Sequence, residues 1–293
     1  MSAASVAAGR PSARRRRARG PGFYAYLLCG LALALVFVVP LAWAVARSFQ
    51  PSTLATQQPQ LKDFTHLTLE NYRAVFAQEH ILHNVVNSLI AALGTALLTA
   101  FVSMLAGYGL AKFRFRGSGI VFAAILLALM IPFQAVLTPL FIELNYLHLT
   151  NSLVGLILVY TTFSLPFGVF VMRNTFQQVP VELIESAEVD GAGLVKTLVR
   201  VLRPLVIPGL ATTAIYAFLY SWTEFLQALT FLETDGKLTL PVKLFDIDTS
   251  TYGAINYGYL SSGIVIAMVP CIVLYLSLQR YYVQGLMSGA VKG

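Results

Sequence analysis

The chain has 293 residues, of which 57% are hydrophobic and 11% charged, and its mean hydropathy is +0.72. A soluble domain carries about 25% charged residues, so a water-soluble core of this size is not expected and lipid, not water, sets the fold. The net charge of +7 does not indicate a nucleic-acid binder: Arg10, Arg14, Arg15, Arg16, Arg17 and Arg19 crowd the first twenty residues with no interleaved aromatic side chain to stack on bases.

Residues 1–22 form an Ala/Ser/Gly/Pro/Arg tail without periodicity, expected to be disordered and to face the anionic cytoplasmic leaflet. Six apolar runs long enough to span the bilayer as helices come after it. The first is Phe23 to Ala46. Its basic flank and the triplet Ala42, Trp43, Ala44 imitate a signal peptide, but the apolar stretch exceeds the 7–15 residues of a typical h-region, which favours an uncleaved span. A long segment from Arg47 to Asn84 leads to the second run, Val85 to Ala111, where Ser88, Ala92, Thr95 and Thr99 make a small-residue seam suited to close helix packing. The third is Ile120 to Ile142. The fourth, Ser152 to Met172, carries Thr161, Ser164 and Gly168 at helical spacing with Tyr160 alongside. The fifth is Leu205 to Phe231 and the sixth Tyr259 to Leu278. Pro132, Pro139, Pro166, Pro208 and Pro270 lie within or beside these runs, where helical bonding can break.

Lysine and arginine placement orients the spans. With the N-terminus inside, the inner segments hold 15 of these residues and the outer segments five, namely Arg47, Lys62, Arg73, Lys237 and Lys243. Six spans then put both termini in the cytoplasm. In the outer segment Leu232 to Gly258, the stretch Lys237 to Leu244 has the makings of a short strand.

The inner segment Asn174 to Pro204 exceeds the usual two to eight residues of a helix connection. Pro180 can open a helix, Glu182 and Glu185 suit its first turn, and Gly191 after Asp190 can take the left-handed conformation that ends it. Leu194, Leu198 and Val201 then share one face while Lys196, Arg200 and Arg203 share another. The pattern is two short amphipathic helices, acidic then basic, joined by a glycine turn. A hairpin lying on the membrane surface would look the same.

In the fifth run Thr213, Tyr216, Tyr220, Thr223 and Gln227 recur along one helical face bordered by Glu224. Polar groups in lipid are costly and turn toward a bundle interior or a watered cavity. The stripe therefore reads as a transport pathway or as a hydrogen-bonded interface with another subunit. Tyrosine rings offer flat apolar faces with a polar tip, which suits sugars.

Several chemistries lack their residues. Gly191 to Thr197 superficially matches a phosphate-binding loop, but Val195 stands where G-x-x-x-x-G-K-[ST] needs its second glycine. His66, His80, His83 and His148 lie in outer segments without ligand spacing, Cys29 and Cys271 read as small apolar residues, and no nucleophile, base and orienter set is apparent. An ion-coupled secondary transporter remains the competing class, though no repeat relates the first three runs to the last three.

The run from Glu185 to Ala192, E-S-A-E-V-D-G-A, resembles the EAA signature of ABC importer permeases, with Ser186 replacing an alanine. Trp222-Thr-Glu-Phe-Leu226 is similar to the W-N-E-F-L motif of carbohydrate-uptake permeases of the maltose-transporter type, with Thr223 for asparagine. Thr239 to Val242, Gln279 to Tyr282 and Gly289 to Gly293 resemble the same group, closest to the smaller, six-span permease of the pair. The resemblance covers the chain from about Phe23 onward. It implies an all-α membrane protein with six transmembrane helices and the type I importer permease fold, sitting in the bacterial inner membrane. It further implies a second permease, an ABC ATPase dimer that binds the ATP and Mg, and an extracytoplasmic solute-binding protein as partners, with no cofactor on this chain. It makes Glu185, Ala187, Asp190, Gly191 and Ala192 the elements that dock on the ATPase. The solute would be a sugar, a sugar derivative or a related compound such as glycerol phosphate.

Overall fold

A computed structural model describes residues 21–51, 67–249 and 256–290. The basic tail at 1–20, Lys62 and Lys292 lie outside them, as do the side chains of the Gln279 to Tyr282 motif. By internal contacts the chain divides into two units at Ala44 and Val45. The first contains most of α1 (Pro21–Ser48), an unbroken apolar helix with Pro40 inside.

The second unit begins with the last turn of α1 and continues through α2 (Glu70–Ala77), α3 (Ile81–Lys112), α4 (Ser118–Met130), α5 (Phe133–Tyr146), α6 (Leu153–Gln177), α7 (Glu182–Val189), α8 (Leu194–Thr223), α9 (Leu226–Phe231), α10 (Leu240–Thr249) and α11 (Tyr257–Ala290). Every element among the described residues is helical. Five helices, α1, α3, α6, α8 and α11, are long and apolar enough to cross a membrane.

The third expected span is not one helix. Pro132 has no N–H to continue α4 and forces Ile131 out of the helical region, to φ −80° and ψ 113°. The chain turns there, so that α4 and α5 are bent by 101° from one another, and counting them as a single broken span brings the total to six.

The core is α3 against α6 with α8 across both. Small and hydroxyl-bearing residues make this possible: the expected seam of Ser88, Ala92, Thr95 and Thr99 is fully buried, joined by Ser103 on α3, Ser164 on α6 and Thr213 on α8. At Gly107 a Cβ would stand 2.6 Å from the Met172 Cβ and 2.8 Å from the Arg173 backbone nitrogen. Gly168 is hemmed in by Ser103 and Thr213 in the same way. Larger clusters close both ends of the bundle. Trp222, stacked on Phe218, donates its indole N–H to the Ala267 carbonyl of α11 at 3.1 Å. Tyr108, Met172, Phe176, Leu202 and Val206 fill the opposite end.

The expected strand within Lys237 to Leu244 is a single 3₁₀ turn, Asp235–Lys237, leading into α10. The backbone groups a strand would pair are taken by α3: Asn84 and Asn87 donate to the Leu238 carbonyl, Asn87 and His83 reach that of Gly236, and the Ser88 hydroxyl accepts from the Leu240 N–H. Pro241 then suits the first turn of α10.

Because Gly107 meets backbone as well as side chain, Gly107→Val should overpack the α3–α6 contact and cost about 1–3 kcal/mol or more. Gly109→Ala, with open space around it, should be near neutral. Thermal unfolding midpoints of the two detergent-solubilised variants distinguish them; equal midpoints would show that the two helices have room to separate.

Candidate functional site

The loop between α6 and α8 is tied down at its start, where the Lys112 ammonium at the end of α3 donates to the Val179 carbonyl at 2.6 Å. In α7, Ile184 turns inward onto the Phe176 and Leu202 cluster and Ala187 is also buried, while Glu185, Ser186 and the capping Asp190 are exposed. Helix α7 ends as the sequence implies. Gly191 sits at φ +69°, its N–H donates to the Glu188 carbonyl at 3.0 Å, and the Ala192 N–H donates to that of Ala187 at 2.9 Å. This pair of bonds is the Schellman arrangement, which satisfies the last carbonyls of the helix and turns the chain sharply.

Beyond the turn the chain departs from the expectation. The second, basic segment is not a separate helix; it is the first part of α8, entered through Leu194–Lys196 and a π-helical stretch, Thr197–Leu202. Leu198 and Leu202 bury themselves against Val206 and Phe176, while Leu194 stays exposed and so does not share the buried face assigned to it. Around the turn, Val189, Leu194 and Val195 are exposed apolar side chains, at 87%, 52% and 73%. The sequence pattern places Leu194 on an apolar helix face and gives Val189 and Val195 no surface role, yet all three flank the turn as exposed apolar side chains.

The polar stripe is also interrupted. The fifth expected span, Leu205 to Phe231, breaks at Glu224, whose φ −70° and ψ 132° leave the helical region, and α9 starts at Leu226. Both carboxylate oxygens of Glu224 accept from the Gln227 N–H at 2.9 Å, and one accepts from that of Ala228 at 3.2 Å. A break within an apolar bundle frees backbone donors that lipid cannot satisfy; here the side chain of Glu224 does so.

Gln227, though across the break, rejoins the stripe: its amide nitrogen donates to the Tyr220 hydroxyl at 2.7 Å. Tyr220 stacks on Tyr216 at 6.4 Å and meets Tyr160 of α6 edge-on at 6.1 Å. Phe167, one α6 turn pair beyond Tyr160, lies 4.1 Å from Tyr216. The Tyr160 hydroxyl is buried with no hydrogen-bond partner among the described residues. Thus Tyr216, Tyr220, Glu224 and Gln227 come together with Tyr160 and Phe167. Thr213 and Thr223 do not join them. Thr213 is buried in the helix contact and donates to the Gly209 carbonyl, and the exposed Thr223 donates to that of Leu219. Phe167 was not singled out from sequence, yet its spacing of seven from Tyr160 places both on one face of α6.

At the bundle end that holds the 232–239 segment, a cavity of about 730 Å³ is lined by Glu79, His80, His83, Asp235 and Lys243 among others. Lys243 pairs with Glu79 at 3.0 Å and with Asp246 at 3.1 Å. Burial works against its charge, but the two carboxylates outweigh that and hold its pKa above the ordinary lysine value. Among the described residues, no three His, Cys, Asp or Glu side chains are grouped to hold a metal ion.

A bundle of membrane-crossing helices, with aromatic and polar groups buried at a helix break and a rigid, exposed turn at the other end, is the architecture of a multi-pass transport subunit. The family described as "Binding-protein-dependent transport system inner membrane component" matches residues 100–288, and the chain belongs to it. A putative ABC transporter permease protein, ORF1 of Streptomyces antibioticus, is 37% identical over 233 residues, covering 78% of this chain and 98% of the relative. The trehalose transport system permease protein SugB of Mycobacterium tuberculosis is 33% identical over 256 residues, 87% of this chain and 93% of SugB. In fold, the chain is similar to a subunit of a bacterial ABC transporter involved in the import of the acidic polysaccharide alginate. That match has a TM-score of 0.78 and 21% identity, covering 89% of this chain and 96% of the other. The protein is therefore an inner-membrane permease of the ABC importer class, a transport subunit and not an enzyme.

Removing the Glu224 side chain should strand two backbone donors in an apolar setting, at about 1–3 kcal/mol each. Glu224→Ala should lower the unfolding midpoint of the solubilised protein by several degrees, and Glu224→Gln, which keeps one acceptor, by less. An unchanged midpoint in Glu224→Ala would show that water or another group already caps α9.

Proposed function

We propose that this chain imports a sugar or sugar derivative together with a second permease, taking the solute from an extracytoplasmic binding protein and drawing its energy from an ABC ATPase dimer. The observation that carries the sugar assignment is the aromatic cluster of Tyr160, Phe167, Tyr216 and Tyr220, with Gln227 at its edge, in a chain whose relatives include a trehalose permease. Stacked rings with hydroxyl and amide tips suit the alternating apolar faces and hydroxyl rims of a pyranose. In this reading Tyr216, Tyr220, Thr223, Glu224 and Gln227 border the pathway or its interface with the second permease, Glu224 by holding the break open.

ATP and Mg belong to the ATPase. The Gly191 turn is the part of this chain that meets it, with Glu185 and Asp190 offering charge and Val189, Leu194 and Val195 offering apolar surface. Ala187 and Ala192 contribute from within, setting the shape of the turn; the burial of Ala187 supports that role. The charge bias of 15 against five supports a cytoplasmic position for this turn and for both termini.

Orientation has a direct test. In a background with Cys29→Ala and Cys271→Ala, Ser186→Cys should resist a membrane-impermeant thiol reagent in intact cells and react once the cells are opened. Labelling from outside would invert the topology.

Coupling is tested at Gly191. No atom lies within 4 Å of a Cβ added there, so the penalty of a side chain is that of the left-handed backbone alone, about 1–2 kcal/mol. Gly191→Val should therefore leave the protein in the membrane at near-normal amounts while uptake is lost and the ATPase subunit no longer co-purifies. Lys196→Ala, on the exposed side, should do neither. Normal uptake by Gly191→Val would reduce the turn to a connector. Stimulation of ATP hydrolysis by sugar-loaded binding protein in the reconstituted complex tests the sugar reading itself; stimulation by a glycerol phosphate instead would move the assignment to that solute.

A further inference from the structure

The connection between α3 and α4 reads Phe113-Arg114-Phe115-Arg116-Gly117, alternating aromatic and basic side chains where two apolar helices leave the bilayer. All four of these side chains are exposed. A third arginine approaches from α6: the Arg173 guanidinium lies over the Phe122 ring, 4.0 Å from its centroid, and Phe122 stacks on Phe170. Phe122 is one turn into α4, roughly 6 Å along the helix from Ser118, so Arg173 stands about one helical turn from the α4 end of the connection that carries Arg114 and Arg116. The Arg173 Nε is buried without a hydrogen-bond partner. Among the described residues none of the three arginines is ion-paired, whereas the neighbouring Lys112 is committed to the Val179 carbonyl. Beyond them α4 presents exposed apolar side chains, Ile120, Val121 and Leu127.

We propose that Arg114, Arg116 and Arg173 bind the phosphate of an acidic phospholipid in the leaflet on the side of the Gly191 turn, with its acyl chains lying along α4. Guanidinium forks match phosphate oxygens in number and plane. The Phe122 ring holds Arg173 in place without neutralising it, and Phe113 and Phe115 sit where aromatic side chains anchor at the headgroup level. The apolar face of α4 is what selects a lipid over free phosphate, which has nothing to place there. A zwitterionic headgroup offers the same phosphate oxygens, but its own cation offsets part of the attraction that an anionic headgroup gives in full to each arginine.

The test uses the assembled importer containing this chain, purified from nanodiscs of equal parts phosphatidylglycerol and phosphatidylcholine, with bound lipid counted by native mass spectrometry. The wild-type complex should retain phosphatidylglycerol in preference. The Arg114→Gln, Arg116→Gln, Arg173→Gln variant should retain on the order of a hundredfold less, and the corresponding triple lysine variant should recover most of it. Should the triple glutamine variant fail to assemble, Arg116→Gln alone, in an exposed connection, should still lower retention severalfold. Retention without preference for phosphatidylglycerol, or unchanged in the glutamine variants, would overturn the proposal. So would displacement of the lipid by millimolar inorganic phosphate, which would make this a site for the free anion. Lipid counting does not depend on which solute is carried, so its outcome is separate from that of the transport tests.

Discussion

How closely α3, α6 and α8 can approach one another governs everything else in the bundle. In lipid there is no hydrophobic force between apolar helices, so association relies on contact distance and on what side chains can bond across it. Glycine at 107 and 168, and serine or threonine at 88, 95, 99, 103, 164 and 213, let the backbones meet with little between them. Bulky residues are pushed to the two ends, around Trp222 and around Phe176. The centre is consequently rigid and thin, and the mechanical variety of the molecule lies at its ends.

The constraint that lipid offers no hydrogen bonds explains where the breaks fall and how they are closed. At Ile131 and Pro132 the chain removes a donor by using proline, so little is left unsatisfied when α4 gives way to α5. At Glu224 no proline is available, and the freed N–H groups of Gln227 and Ala228 are met by a carboxylate instead. A charged residue within an apolar run is costly, and that cost is offset here by two backbone bonds. The acid that looks like a pathway group in the sequence thus has a structural duty first, and whatever it does for a solute it does as the holder of an opening.

Much of this was legible beforehand because membrane helices announce themselves by length and composition. The spans, the packing seam of α3 and the left-handed Gly191 all emerged from residue type and spacing. The failures share a cause. A period of 3.6 says which residues would share a face if the helix continued, and it continued past neither Met130 nor Thr223. Pro132 signalled the first break; nothing local signalled the second, because Glu224 is compatible with a helix and only its bonds to Gln227 and Ala228 make the break stable. The strand expected near Leu238 failed for a similar reason: its backbone partners are Asn84, Asn87 and Ser88, some 150 positions away in the chain. The continuity of the basic loop segment with α8 was hidden by Pro204, which reads as a helix start but sits in the first turn after a π-helical stretch that had already begun turning.

That continuity has a mechanical consequence. From Leu194 to Thr223, 30 residues form one helix, about 45 Å at 1.5 Å per residue. One end is fixed to α7 by the two bonds of the Gly191 turn, and the other ends at the Glu224 cap, beside Tyr220 and Gln227. A helix resists bending far more than the turn or the cap resists rotation, so displacement of the turn by a partner would reach the aromatic cluster as a tilt or twist of α8. The π-helical stretch near its start and Pro208 one turn further are the places where such motion would be absorbed first. The proposed ATPase contact and the proposed solute contact therefore need no chain of intervening side chains; they lie at the two ends of one continuous helix, stiff except at those two places, and the identity of the residues at each end decides what is felt there.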